Sequence, residues 1–193
     1  MHTSQAKVLV ISAPSGAGKT TLVNAMLERF DGFEFSVSAT TRAPRAHEQD
    51  GREYYFISIA EFTRLREEDA FLEWEEVYPG KCYGTLKSEV TRILNEDKWP
   101  IFDVDVKGGL NIKHHYGARA LALYIQPPSL EVLRERLTRR GTDSPEDIER
   151  RVRKAEYEMT FASQFDHIII NDDLEKAIAQ LVDLISKRLS PVP

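Results

Sequence analysis

The sequence has 193 residues, 41% hydrophobic and 30% charged, with a net charge of −5 and one cysteine, Cys82. That length suits a single domain with a full core, and the acid excess excludes a general nucleic-acid or anionic-membrane binder, whose attraction to phosphate needs a net basic face. One cysteine rules out an internal disulfide, no apolar run approaches the ~18 residues of a membrane span, and Met1–Ala6 lack a signal-peptide pattern, so a cytoplasmic protein without nucleic-acid or membrane partners is expected.

Val8–Ile11 form an unbroken, largely β-branched apolar run, the pattern of a strand buried on both faces of a parallel sheet. A helix should follow at once. Leu22, Val23, Met26, Leu27 and Phe30 recur at helical spacing, and Asp31-Gly32 stops them. Between strand and helix lies Ala13-Pro14-Ser15-Gly16-Ala17-Gly18-Lys19-Thr20, close to the pattern G-x-x-x-x-G-K-[ST] with alanine for its first glycine. Glycines there let backbone N–H groups curl around a phosphate at a helix N-terminus, Lys19 can reach the terminal phosphates, and the Thr20 hydroxyl can hold Mg²⁺. Ala13 is tolerable as long as its φ stays negative.

Phe33–Ser38 alternates and predicts a second strand, which delivers Arg42 and Arg45 into a polar, proline-containing loop. Two such arginines suggest a fork for a second phosphate. Asp50-Gly51 marks a turn, Tyr54–Ile57 a short strand, and Ser58-Ile59-Ala60-Glu61 a capping box that opens a helix through Phe62 and Leu65. Phe71–Tyr78 reads as a strand whose carboxylates are mostly solvated, and a helix is expected from about Leu86 to Asn95. The block 36–96 is therefore an insertion of small strands and helices.

Trp99–Val106 resumes the core as an apolar strand ending in Asp103 and Asp105, which project to one side. An acid at that place suits the Mg²⁺ shell of a phosphate site, and helix capping by either aspartate is the plain alternative. A helix is expected from Lys107 to Tyr116, ended by Gly117, with His114 and His115 as surface residues; Leu121–Ile125 is the next buried strand. Ser129 caps a helix bearing Leu130, Leu133 and Leu137, and Ser144-Pro145 opens another. Arg134, Arg136, Arg139, Arg140, Arg150, Arg151 and Arg153 surround the Gly141-Thr142-Asp143 turn among interleaved acids. Two salt-bridged, solvated helices would explain them, but arginines bracketing a glycine hinge favour a lid that closes on phosphate. His167–Asn171 is expected as a last buried strand, a helix runs from Leu174 to about Leu189, and Ser190–Pro193 should fray.

These elements predict an α/β fold: a five-stranded parallel sheet with flanking helices, ligands lying beyond the carboxyl ends of its strands, plus an insertion bearing the second phosphate fork and a helical lid. Two phosphate sites, a metal carboxylate and an arginine-rich lid are what phosphoryl transfer between two phosphorylated molecules requires.

From end to end the chain resembles the guanylate kinase family. The resemblance rests on Ser12–Leu22, Ser36–Arg45, Phe71–Trp74, Tyr83-Gly84-Thr85, Phe102–Gly108, Arg136–Gly141 and Ile170–Asp173. It implies transfer of the terminal phosphoryl group of ATP to GMP, and to dGMP, with Mg²⁺, by one domain. Its core would be 6–35, 97–128 and 162–190, its GMP-binding insertion 36–96 and its lid 129–161. Ala13, Pro14, Ser15, Gly16, Ala17, Gly18, Lys19, Thr20 and Thr21 would then bind ATP, with Asn171 near adenine and Thr20 and Asp103 serving the metal. Arg42, Arg45, Tyr54 and Tyr83 would hold the GMP phosphate. Ser38, Glu73, Thr85 and Asp105 would read guanine, the Ser38 and Thr85 hydroxyls donating to O6. Lys19, Arg42, Arg136, Arg140 and Arg151 would act on the transferring group. Ala46-His47 and Lys81-Cys82 depart from the family pattern, and a monomer or homodimer is expected. A ribose-bisphosphate kinase would lack the guanine-reading set, a non-catalytic guanylate-kinase-like module the phosphate loop, and a GTPase would need N-K-x-D where Asn171-Asp172-Asp173 stands.

Overall fold

The computed structural model describes residues 7–45, 48–141 and 143–189. The readings of Met1–Ala6, of Ala46-His47, of Thr142 and of Ser190–Pro193 lie outside the described residues. In chain order the elements are β1 (Val8–Ser12), α1 (Lys19–Leu27), β2 (Phe33–Phe35), β3 (Ala39–Thr40), β4 (Tyr55–Phe56), α2 (Ile59–Glu67), β5 (Phe71–Tyr78), β6 (Lys81–Leu86), α3 (Lys87–Asn95), β7 (Trp99–Val104), α4 (Val106–Tyr116), β8 (Ala120–Gln126), α5 (Leu130–Arg140), α6 (Pro145–Met159), β9 (His167–Ile170) and α7 (Leu174–Leu189). A five-stranded parallel sheet has the order β2-β7-β1-β8-β9, and a four-stranded sheet the order β4-β3-β6-β5. The expected α/β architecture is present.

The chain divides into two compact units, one made of the residues up to Asp31 and from Phe102 onward, the other of Gly32–Ile101. In the first, β1 pairs in register with β8 from Val8↔Ala120 to Ser12↔Tyr124, and all five β1 residues are buried. A strand covered on both faces has no polar side, which is why its sequence shows no alternation. β9 was expected to be buried as well, yet only Ile169 is, because β9 is the sheet edge and pairs with β8 alone. Helices α5 and α6 form a hairpin with its own apolar seam of Leu133, Leu137, Ile148, Val152 and Ala155. Gly141 ends α5 at φ 68, a left-handed conformation that glycine adopts without a Cβ penalty, and Ser144 caps α6 by accepting the Asp147 N–H. His114 and His115 are exposed, as expected.

The second unit corrects the reading of Phe33–Ser38 as one strand. β2 stops at Phe35 after pairing with Trp99–Ile101, and the Val37 N–H turns to the buried Glu89 carboxylate at 3.4 Å. Two residues later the chain enters the second sheet as β3. The long hairpin of β5 and β6 organises that sheet, although the six residues of β6 carry no periodic signal. Its register runs Phe71↔Leu86 and then Glu73↔Thr85, so two steps along β5 match one along β6. This bulge at Leu72 leaves both Phe71 and Glu73 buried. Beneath the hairpin, Phe62 of α2 stacks on Phe71 with ring centroids 4.5 Å apart, in a small core shared with Ala39.

Gly84 pairs with Trp74 across that hairpin, and a Cβ built on it would meet Phe71 Cδ1 at 2.7 Å and Trp74 Cβ at 3.0 Å. Gly84→Ala is therefore expected to destabilise the protein by ~1–3 kcal/mol through overpacking. A urea midpoint equal to that of the wild type would contradict this packing.

Candidate active site

The loop between β1 and α1 is built by backbone conformations that only glycine adopts cheaply. Gly16 and Gly18 have φ of 94° and 93°, whereas Ala13 is not among the positive-φ residues, the condition under which alanine is tolerated there. Ala17 N–H closes a turn on the Pro14 carbonyl at 3.1 Å. Gly18 caps α1 without any side-chain acceptor, so the first-turn N–H groups of α1 face outward beside the exposed Thr20 and Thr21. The loop is also clamped from behind. A Cβ on Gly16 would lie 2.9 Å from Leu137, and one on Gly18 would lie 2.3 Å from the Asn171 amide nitrogen. Asn171, expected near adenine, is buried and its amide donates to the Ala17 carbonyl at 2.7 Å.

Lys19 leaves the first turn of α1 toward the carboxyl end of β7. Its ammonium pairs with the Asp103 carboxylate and donates to the Val104 carbonyl at 3.1 Å, an oxygen that also accepts from Ser12. Asp103 and Asp105, expected to share a side of one strand, have different duties. β7 ends at Val104, and Asp105 is the N-cap of α4, accepting the Gly108 N–H at 2.9 Å.

Two arginines of the α5–α6 hairpin bear on this loop, Arg151 directly and Arg136 through Asn171. Arg136 donates to the Asn171 carbonyl at 2.8 Å; Arg151 donates to the Ser15 hydroxyl at 2.6 Å and to Asp143 at 3.0 Å. Arg140 stands exposed at the end of α5. The plainer expectation of salt-bridged helices holds alongside: Arg134 pairs with Glu149, and Arg150 with Asp147.

In the unit formed by Gly32–Ile101, the structure brings Arg42, Arg45, Tyr54 and Tyr83 together around a residue the sequence reading passed over, Glu48. Arg42 grips this carboxylate through both terminal nitrogens at 2.6 Å, and the Arg45 N–H reaches it at 2.7 Å. Those charged hydrogen bonds, Arg42 first, hold the Glu48 carboxyl at about 2. The Arg42 guanidinium lies over the rings of Tyr54 at 5.0 Å and Phe56 at 5.5 Å, and Tyr54 packs edge-on against Tyr83. Glu48 carried no signal of its own, being one acid in a polar loop, and only its spacing from the two arginines could have drawn notice. Nearby in sequence, Glu73 is 9% exposed and accepts the Thr85 hydroxyl at 2.7 Å. The expectation of mostly solvated carboxylates holds for the exposed Glu76 and fails for Glu73, which the bulge turns inward.

Among the described residues no group of three or more acidic, histidine or cysteine side chains could hold a metal unaided. That suits Mg²⁺ delivered with a nucleotide, which needs only a hydroxyl and a carboxylate beside phosphate and water oxygens; the exposed Thr20 and the part-exposed Asp103 are of that kind.

A glycine-built phosphate loop at the carboxyl end of a parallel strand, with a lysine and an arginine-bearing helical hairpin beside it, defines a phosphate-binding α/β protein of the P-loop kinase class. Residues 5–188 match the guanylate kinase family profile. The chain is 52% identical to the guanylate kinase of Bacteroides thetaiotaomicron over 95% of its length and 90% of that protein's. It is 55% identical to that of Porphyromonas gingivalis over 94% and 97%. A crystal structure of guanylate kinase from Anaplasma phagocytophilum superposes with a TM-score of 0.73 at 26% identity, covering 97% of this chain and 88% of that one. The chain belongs to the guanylate kinase family.

Proposed function

We propose that this chain transfers the terminal phosphoryl group of ATP to GMP, giving ADP and GDP, and that it accepts dGMP. Family membership supports the reaction, and the single observation that carries it here is the Lys19 ammonium held between Asp103 and Val104 at the mouth of a glycine-built anion cradle. Residues 13–21 take the ATP phosphates, their N–H groups and Lys19 neutralising charge that shifts during transfer. Thr20 and Asp103 would hold Mg²⁺, which would supply further charge neutralisation on the phosphates. Arg136, Arg140 and Arg151, on the 129–161 lid, act on the transferring group.

The 36–96 insertion takes GMP. Arg42, Arg45, Tyr54 and Tyr83 bind its phosphate, while Ser38, Glu73 and Thr85 read guanine; Asp105 joins them only in addition to its capping duty. Guanine presents N1–H and N2–H₂ on one edge, which a carboxylate accepts and adenine cannot match. Because the Thr85 hydroxyl donates its hydrogen bond to Glu73, it meets a base as an acceptor. Donation to guanine O6 then falls to Ser38. The chain works in the cytoplasm as a monomer or homodimer, without nucleic acid; among the described residues no helix is long and apolar enough to cross a membrane.

Lys19→Met should lower kcat by orders of magnitude with the fold intact by circular dichroism, since it removes charge stabilisation from the transition state. Wild-type turnover in that variant would overturn the loop assignment. Glu73→Gln should lower kcat/KM for GMP by ~1.5–3 kcal/mol, the range for hydrogen bonds to a charged group, without a comparable loss for AMP. Equal losses for both nucleotides would place guanine reading elsewhere.

A further inference from the structure

We propose that Glu48 is a positioning residue for the substrate phosphate: it holds one edge of the Arg42 guanidinium and thereby fixes the other edge as the fork offered to an incoming phosphate. The proposal rests on the reading of Arg42 as a ligand of the GMP phosphate.

A guanidinium carries five N–H donors in one plane, with two edges able to bind an oxyanion bidentately. Here Nη1 donates to Glu48 Oε2 at 2.6 Å and to the Ala43 carbonyl at 2.9 Å, while Nη2 donates to Glu48 Oε1 at 2.6 Å. Both Nη1 hydrogens and one Nη2 hydrogen are thereby committed. What remains is Nε–H and the outer Nη2 hydrogen, which share an edge and are spaced for two oxygens of one phosphate. Tyr83 packs edge-on against Tyr54, the ring over which the guanidinium lies, so a group already assigned to the phosphate stands close by.

Glu48 is itself fixed. Its side chain is only 5% exposed, and its Oε2 accepts the Arg45 N–H as well, which ties the backbone of the second arginine to the same carboxylate. Stacking of Arg42 over Tyr54 and Phe56 sets the plane of the guanidinium, and Glu48 sets its rotation within that plane. A carboxylate that merely occupied the arginine until phosphate displaced it would act as a competitor, and its removal would then tighten GMP binding. The two roles predict effects of opposite sign.

Steady-state kinetics at saturating ATP on Glu48→Gln, Arg42→Ala and the double variant separate them. KM is independent of how much of the preparation is folded, so partial unfolding cannot imitate the effect. Glu48→Gln should raise KM for GMP by about tenfold or more, the size of loss seen when the partner that orients a binding group is removed, while leaving KM for ATP unchanged. In the Arg42→Ala background the same change should add nothing, because Glu48 acts through Arg42. If Arg42→Ala leaves KM for GMP unaltered, the underlying reading of Arg42 fails, and the proposal with it. If Arg42→Ala raises KM but Glu48→Gln leaves it unchanged or lowers it, or raises it equally in both backgrounds, the role of Glu48 alone is overturned.

Discussion

A cation that is to meet phosphate gains from being held still before the phosphate arrives, and most of the cations proposed for that role in this chain hold internal oxygens. Lys19 has Asp103 and the Val104 carbonyl, Arg42 has Glu48 and the Ala43 carbonyl, Arg136 has the Asn171 carbonyl, and Arg151 has Ser15 and Asp143. A free lysine or arginine side chain carries ~2 kcal/mol of rotamer entropy, which would be lost on binding if it were not already lost in folding. Phosphoryl transfer asks little covalent chemistry of the protein, so the placement of charge is the larger share of the work. The acidic net charge of the chain fits the same scheme, since Lys19, Arg42 and Arg151 each pair with a carboxylate.

The anion cradle depends on packing as much as on its glycines. Asn171 reaches Ala17 from the end of the edge strand β9, and Leu137 and Leu133 of α5 close over Gly16. The helical hairpin that carries Arg136 and Arg151 is thus in van der Waals contact with the loop it serves. Its own seam of Leu133, Leu137, Ile148, Val152 and Ala155 keeps both helices together as one body.

How much of this was legible in the sequence follows from where the signal is local. The β1–loop–α1 unit could be read because an unbroken apolar run, spaced glycines and a helical stripe each have a local cause, and the caps at Ser58, Ser129 and Ser144 all accept the N–H three residues on. Elements fixed by long-range partners could not. The early end of β2 depends on Glu89, 52 residues beyond Val37. The burial of Glu73 depends on a bulge, and a bulge is a relation between two strands rather than a property of one. β9 looked like a core strand because Ile168, Ile169 and Ile170 are alike in sequence, whereas its edge position leaves Ile170 55% exposed. In the candidate site the residue types were legible and the pairing was not. No local pattern says that Glu48 holds Arg42, or that the Thr85 hydroxyl donates a hydrogen bond to Glu73.

The most direct test of the whole account is a coupled assay of ADP release by the wild-type chain, with MgATP and each of GMP, AMP, CMP and UMP in turn. A site that reads guanine through a buried carboxylate should favour GMP by ~10⁴-fold or more in kcat/KM, because a mismatched base leaves desolvated groups unpaired. Comparable turnover of AMP, or no phosphoryl transfer to GMP, would contradict it.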